Sequence, residues 1–180
     1  MKHDDIHIIK EVLGGKSEQF EHILNRYGGQ VFNLIAHIVP CKEDAEELTQ
    51  DVFIKVFRLL SSFKEESSFS TWIYRIATNT ALSAARKKKH DTINIEDNAY
   101  GDIPDEQLDE ALDNDSEEQL QRLSDAIEML NADERALITL YYMNEKPVAE
   151  VASILGLTVS NVKIKLLRTR KKLYLIMNDL

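Results

Sequence analysis

The sequence predicts an all-α protein of two small helical domains joined by an acidic, flexible linker. Glycine and proline number only 6 and 3 of 180 residues, well below the roughly 12% of an average chain, so turns are few. Apolar residues recur at helical spacing through most of the chain. Charge is also segregated: residues 1–90 carry 13 Lys+Arg and 12 Asp+Glu, 91–118 carry none and 12, and 119–180 carry 9 and 7. The middle segment alone therefore outweighs the net charge of -9. It separates a domain over 1–90 from one over 119–180.

The first twenty residues, MKHDDIHIIKEVLGGKSEQF, lack the uninterrupted apolar run of a secretory signal. His3, Asp4, Asp5 and His7 could touch a metal, but no further ligand group is near in sequence, and the cluster reads as a polar tail. From Ser17, a plausible N-cap, Phe20, Ile23, Leu24, Tyr27, Val31, Leu34, Ile35 and Ile38 keep a 3.6-residue rhythm. Gly28-Gly29 interrupts it at about 1 kcal/mol each relative to alanine, so the helix either bends there or is held by packing. Ala45, Leu48, Val52, Phe53, Val56, Phe57 and Leu60 form a second stripe, and Phe69, Trp72, Ile73, Ile76 and Leu82 anchor a third helix beginning near Ser70. That helix ends in Arg86, Lys87, Lys88 and Lys89, cations that suit its C-terminal dipole.

Residues 91–118 hold twelve acids and few large apolar side chains, the composition of a linker. Twenty-eight self-repelling residues reach roughly 30 Å or more and can hold two modules apart. The segment serves either as a solubilising spacer or as an acidic strip that occupies a basic groove. Beyond it, Ser116…Gln119 and Asn131…Glu134 have the spacing of capping boxes, so helices start near 117 and 132. After Pro147, VAEVASIL, Gly156, Leu157-Thr158 and a long segment from Val159 give helix, tight turn, helix. Val148, Val151, Ala152 and Leu155 would pack on Leu157, Val162, Leu166 and Leu173. Lys163, Lys165, Arg168, Arg170, Lys171 and Lys172 stand between the apolar positions with no acid from Gly156 to Asn178. A solvated basic stripe is the plain reading. Six cations without an anion, in a protein this acidic, favour a helix that enters a major groove.

Three stretches together resemble the sigma-70 family of transcription initiation factors, in its extracytoplasmic-function (ECF) branch: DAEELTQDVFIKVFRLL at 44–60, FSTWIYRIATNTAL at 69–82 and VAEVASILGLTVSNVKIKLLRTRKKL at 148–173. The resemblance implies sigma domain 2 over 1–90 and sigma domain 4 over 119–180. It makes Glu47, Gln50, Asp51, Ile54 and Lys55 candidates for docking on the clamp helices of bacterial RNA polymerase core, with an exposed Ile54 and Phe53 beside mixed charge. It places Phe63, Lys64, Ser67, Ser68 and Phe69 on a loop that receives a flipped minus-ten base, and Trp72, Arg75 and Asn79 on the helix beside it. Arg86, Lys87 and Lys88 would follow the backbone upstream. An aromatic wedge, a base pocket and cations are what opening a duplex requires. Trp72 serves as wedge or as core, and flanking Ile73 and Ile76 favour core. Ser160, Asn161, Lys163, Ile164, Arg168 and Lys171 map to the minus-thirty-five element. There the chain departs from the common pattern: Ser160-Asn161 replaces a usual Gly-Thr, Ile164 a usual Ser, and Leu167 a position often aromatic or His. The resemblance also implies an anti-sigma partner.

No enzyme motif emerges. Gly14-Gly-Lys-Ser17 echoes the end of a phosphate loop, but Lys10 stands where its first glycine belongs and no strand precedes it. Lone Cys41 has no partner motif and cannot form an internal bridge, which makes a reducing cytoplasm the default. No stretch approaches the roughly 20 apolar residues of a membrane span, and no cofactor is implied. The competing reading is a two-domain helix-turn-helix regulator that binds DNA without polymerase; FSTWIYRIATNTAL discriminates, since a regulator needs no strand-opening loop. The acidic linker further predicts that the free chain binds duplex promoter poorly until polymerase core unmasks it.

Overall fold

The computed structural model describes residues 2–87 and 117–179, and every regular element among them is helical. The first stretch holds α1 (Lys2–Leu13), α2 (Phe20–Ile38), α3 (Lys42–Leu59) and α4 (Phe69–Lys87). The second holds α5 (Glu117–Glu128), α6 (Ala132–Ile138), a π-helical turn Thr139–Met143, α7 (Val148–Leu155) and α8 (Val159–Asp179). Residues 88–116, which include Lys88 and most of the predicted linker, lie outside the described residues, as does Ser116.

Helix α1 corrects the polar-tail expectation. Ile9 and Val12 bury one face, Gly15 at φ 102 turns the chain out of it, and Asp5 is 6% exposed. Ser17 is not an N-cap: Ser17–Gln19 is a 3-10 turn with no side-chain cap, and α2 starts at Phe20. α2 runs through Gly28 and Gly29 as continuous helix, held by Ile23, Tyr27, Val31, Leu34, Ile35 and Ile38, all buried. A Cβ at either glycine meets nothing within 4 Å. Gly28→Ala and Gly29→Ala are each expected to stabilise the protein by about 0.5–1 kcal/mol, read as a higher urea midpoint at unchanged slope. A fall in midpoint at both positions would mean that the glycines serve a bend the structure lacks.

α3 buries Ala45, Val52, Phe53 and Val56 against α2 and α4. Phe53 is thus core, contrary to its expected exposure: it falls on the same stripe as Val52 and Val56, while Ile54, one residue on, is 48% exposed. In α4, Ser68 Oγ accepts the Thr71 backbone N–H at 3.1 Å and so caps the helix one residue earlier than the apolar pattern indicated.

In the second stretch Asn131 and Glu134 form the predicted capping box in both directions, at 2.9 and 3.0 Å. Gly156 terminates α7 at φ 67, a left-handed backbone that glycine adopts without steric cost. Thr158 Oγ1 then accepts the Asn161 N–H and caps α8. The two helices pack on one another, and Val151, Ala152, Ile154, Val162, Leu166 and Leu173 are buried.

The two stretches are docked rather than held apart, and their buried side chains make one continuous cluster. α4 packs on α7 and α6, and α2 on α6. Arg135, 7% exposed, supplies the physical reason. Its guanidinium donates to the carbonyls of Glu128 at 3.0 Å and Leu130 at 3.1 Å, then across the interface to Ile38 at 2.8 Å. It therefore satisfies orphan carbonyls at the ends of α5 and α2 at once. Burial draws its pKa below the ordinary arginine value.

Candidate nucleic-acid interface

α8 is two-sided. Val162, Leu166, Thr169, Lys172 and Leu173 are buried, whereas Ser160, Asn161, Lys163, Ile164, Lys165, Leu167 and Arg168 are exposed on the face away from that core. Lys171 and Arg170 are half-buried. Lys172 leaves the expected basic face entirely: it is 2% exposed, and its Nζ lies 2.8 and 3.1 Å from the two carboxylate oxygens of Glu134. The ammonium thus ties α8 to α6. Sequence alone gave no sign of this, because its partner stands 38 residues away.

In the first stretch, Phe63, Phe69 and Trp72 form an aromatic group. Phe69 stacks on Trp72 with centroids 5.7 Å apart and planes at 21°, and Phe63 lies 5.2 Å from Phe69 and 5.5 Å from Trp72. Trp72 is half-buried, so it belongs to the core on one side and to the surface on the other. The loop before α4 carries Glu65 at φ 60, a left-handed conformation that a non-glycine residue adopts only under constraint. Lys64, Glu65 and Glu66 are exposed, while Ser67 and Ser68 are half-buried.

Arg75 and Asn79 are exposed on α4, and both face the second stretch. Arg75 donates to the Ser153 carbonyl at 3.1 Å and to its hydroxyl at 2.9 Å. A line of hydroxyls, Ser70–Ser68–Thr71, ends on the Glu150 carboxylate, 2.6 Å from Thr71 Oγ1. Lys146 sits 4.7 Å above the Tyr74 ring, and burial, then the nearby Glu150 charge, push the Tyr74 phenol up. Arg86 pairs with Asp133 at 3.1 Å. Asn79, Arg86, Lys165 and Arg168 line one cleft of about 450 Å³ between α4, α6 and α8. The structure thus brings together residues that sequence reasoning assigned to two separate promoter elements.

On α3, Glu47, Gln50, Asp51, Ile54 and Lys55 are all exposed. Lys55 also reaches the Thr80 hydroxyl at 3.1 Å. Exposed Phe57, edge-on to Phe20 at 5.1 Å, and Leu59 extend the apolar content of this face. The helical periodicity that set Phe57 in the core stripe could not separate it from residues at the stripe's margin. Among the described residues no group of His, Cys, Asp or Glu could hold a metal, and no helix is long and apolar enough to cross a membrane.

A helix-turn-helix with a basic outer face, docked on a helical domain that carries an aromatic cluster and an apolar-charged flank, defines a two-domain transcription factor. The family profile described as sigma-70 region 2 matches residues 23–90, and that of sigma-70 region 4 matches residues 120–173. Curated relatives include the ECF RNA polymerase sigma factor SigW of Bacillus subtilis, 29% identical with 96% of each chain covered. The ECF RNA polymerase sigma-E factor of Escherichia coli K12 is 32% identical, with 91% of this chain and 89% of the relative covered. Among solved structures, CnrH in complex with the cytosolic domain of CnrY superposes with a TM-score of 0.65 at 20% identity over 96% of both chains. The sigma factor RpoE in complex with the anti-sigma factor NepR from Bartonella quintana gives 0.65 at 22% identity, over 89% of this chain and 98% of that one. These two share the fold. The chain belongs to the sigma-70 family, as an ECF sigma factor and hence a transcription initiation factor.

Proposed function

We propose that this chain binds RNA polymerase core through the exposed face of α3, opens the minus-ten element with the 63–79 segment, and reads the minus-thirty-five element with the outer face of α8. The observation that carries the reading is the division of α8 into a buried face and an exposed basic one, opposite a domain whose aromatic cluster adjoins a constrained loop. Asn161 and Lys163, near the N-terminus of α8, suit base edges, and Arg168 suits a base edge or phosphate. Asn79 suits paired hydrogen bonds to a base, and Arg75 suits stacking or phosphate. Lys64, Arg86 and Lys87 are exposed and add positive charge on the same domain. An anti-sigma protein fits the same scheme, because cover over α3 or α8 would block the surfaces it assigns to polymerase and DNA.

The docked arrangement is a resting form in this scheme. The two promoter elements lie about 25 base pairs apart, about 85 Å at 3.4 Å per step. Asn79 and Arg168 line one cleft and cannot serve both at that spacing. The 29 residues between the described stretches span at most about 100 Å when extended, enough to allow separation. Arg75 must release Ser153 to reach DNA, and the Thr71–Glu150 contact helps hold the two stretches in the closed form. Glu150→Ala is therefore expected to raise the free chain's affinity for a single-stranded minus-ten oligonucleotide roughly threefold to tenfold, with the core-bound form unchanged. Equal affinity of variant and parent would contradict a closed resting form.

The role itself is tested by run-off transcription with purified bacterial core polymerase on a library of random upstream DNA. Added starts that share two spaced elements are expected. Tight duplex binding by the chain alone, with no added starts, would support the regulator reading instead.

A further inference from the structure

Helix α1 precedes the stretch matched to sigma-70 region 2, and no part of the reading above gives it a task. It nevertheless forms a wall of the loop before α4. A cavity of about 240 Å³ is lined by Asp5 and Ile6 of α1 together with Phe63, Glu66, Ser67 and Phe69. Asp5, an almost fully buried carboxylate, pairs with the Arg26 guanidinium and accepts the Tyr27 hydroxyl at 2.8 Å. The Tyr27 ring in turn meets Phe69 edge-on, with centroids 5.9 Å apart and planes at 80°. Phe69 is the ring on which Trp72 stacks and against which Phe63 leans.

A continuous line of contact thus runs from Asp5 through Tyr27 to the aromatic group beside the constrained Glu65 turn. A phenol ring anchored at its hydroxyl is restrained from sliding, and an edge-to-face pair is sensitive to that motion. Without its acceptor, the buried Tyr27 hydroxyl would seek another partner and carry the ring with it. A carboxylate is suited to the task because it accepts Tyr27 and Arg26 simultaneously, which ties the start of α1 to the middle of α2.

We infer that Asp5 is a positioning residue for promoter opening: through Tyr27 it fixes the Phe69–Phe63–Trp72 group and the loop that takes the unstacked base. The inference rests on the assignment of the 63–69 loop to strand opening. Asp5 touches no DNA in this scheme. Its loss slows opening and leaves polymerase docking intact, because α3 lies outside the line of contact.

The test uses the full chain with core polymerase on a promoter that supports run-off transcription, with 2-aminopurine at the melted position. Asp5→Ala and Tyr27→Phe are compared with Asp5→Asn and with Phe63→Ala. Asp5→Ala is expected to slow the fluorescence rise roughly tenfold, and Tyr27→Phe, which keeps the ring, by a smaller factor. Asp5→Asn retains an acceptor oxygen for Tyr27 and restores part of the rate. On a template whose minus-ten region is already open through mismatches, the run-off transcript yield of all three returns to within about twofold of the parent, with unchanged core affinity. Equal loss of run-off transcript on duplex and pre-opened templates would show Asp5 to be merely structural and overturn the inference, as would a parent-like opening rate for both Asp5→Ala and Tyr27→Phe. If Phe63→Ala opens at the parent rate, the loop assignment itself fails; if it is slow while the Asp5 and Tyr27 variants are not, only the role of Asp5 fails.

Discussion

Replacing Glu134 by alanine is expected to lower unfolding free energy by about 3–4 kcal/mol, a melting temperature lower by roughly 6–15 °C in a chain of this size. One carboxylate does two jobs. It accepts the Asn131 N–H at 3.0 Å, which closes the cap of α6, and both its oxygens hold the Lys172 ammonium in α8. Losing the cap contact costs about 1 kcal/mol or less. The larger part is the ammonium left almost wholly out of water, since removal of one partner strands a charge that full solvation no longer stabilises. Glu134 is itself about one-fifth exposed, which places the expected cost at the lower end of the range for buried pairs. Glu134→Leu combined with Lys172→Met removes both charges and is expected to cost about 1 kcal/mol or less. Urea denaturation followed by circular dichroism measures each value. A single variant that loses no more than the double would show that water or another group compensates Lys172.

The second large effect is on duplex binding. Lys163→Ala and Arg168→Ala are each expected to weaken the closed complex of the core-bound protein by about 1–3 kcal/mol if they contact bases, and by less at phosphate. Both side chains are exposed on α8, and five positions separate them, so they stand on different turns. The double variant should lose close to the sum, about 2–6 kcal/mol, because neither residue positions the other. A phosphate contact also reveals itself in salt: each one lost reduces the slope of log affinity against log salt by about 0.9. Gel-shift titrations at several salt concentrations on matched and mismatched minus-thirty-five sequences separate the cases. A loss uniform across sequences with a shallower slope assigns phosphate; a loss confined to the matched sequence assigns a base. No loss in either variant would remove α8 from DNA recognition.

Local chemistry made much of this fold legible. Asn131 and Glu134, three apart, announce a capping box, and Gly156 between two apolar runs announces the helix-turn-helix bend. The apolar stripes of α2 and α4 announce their buried faces. What stayed hidden depends on distant partners. Lys172 sits in a run of cations and looks like its neighbours until Glu134 is placed beside it. Nothing local in the sequence marks Arg135, whose guanidinium spans helix ends from both stretches. The docking of the domains depends on the pairing of Glu150 and Ser153 with Thr71 and Arg75, about 80 residues apart, and composition had indicated separated modules. Helix α1 was obscured because its early His and Asp residues dominate the pattern. The spacing of Ile9, Val12 and the following Gly14-Gly15 was the signal that could have found it. The candidate DNA residues came from the family pattern, and the structure added what they touch in the docked form.

A division of labour between the two domains on one promoter separates opening from binding, and one paired experiment reads both steps. Closed-complex affinity and opening rate are measured for the core-bound parent, Asn79→Ala and Arg168→Ala on the same duplex. Asn79→Ala is expected to open slowly from a closed complex whose affinity stays within about twofold of the parent. Arg168→Ala should bind weakly and, once saturated, open at the parent rate. Equal loss of both steps in both variants would mean that the domains do not divide the work.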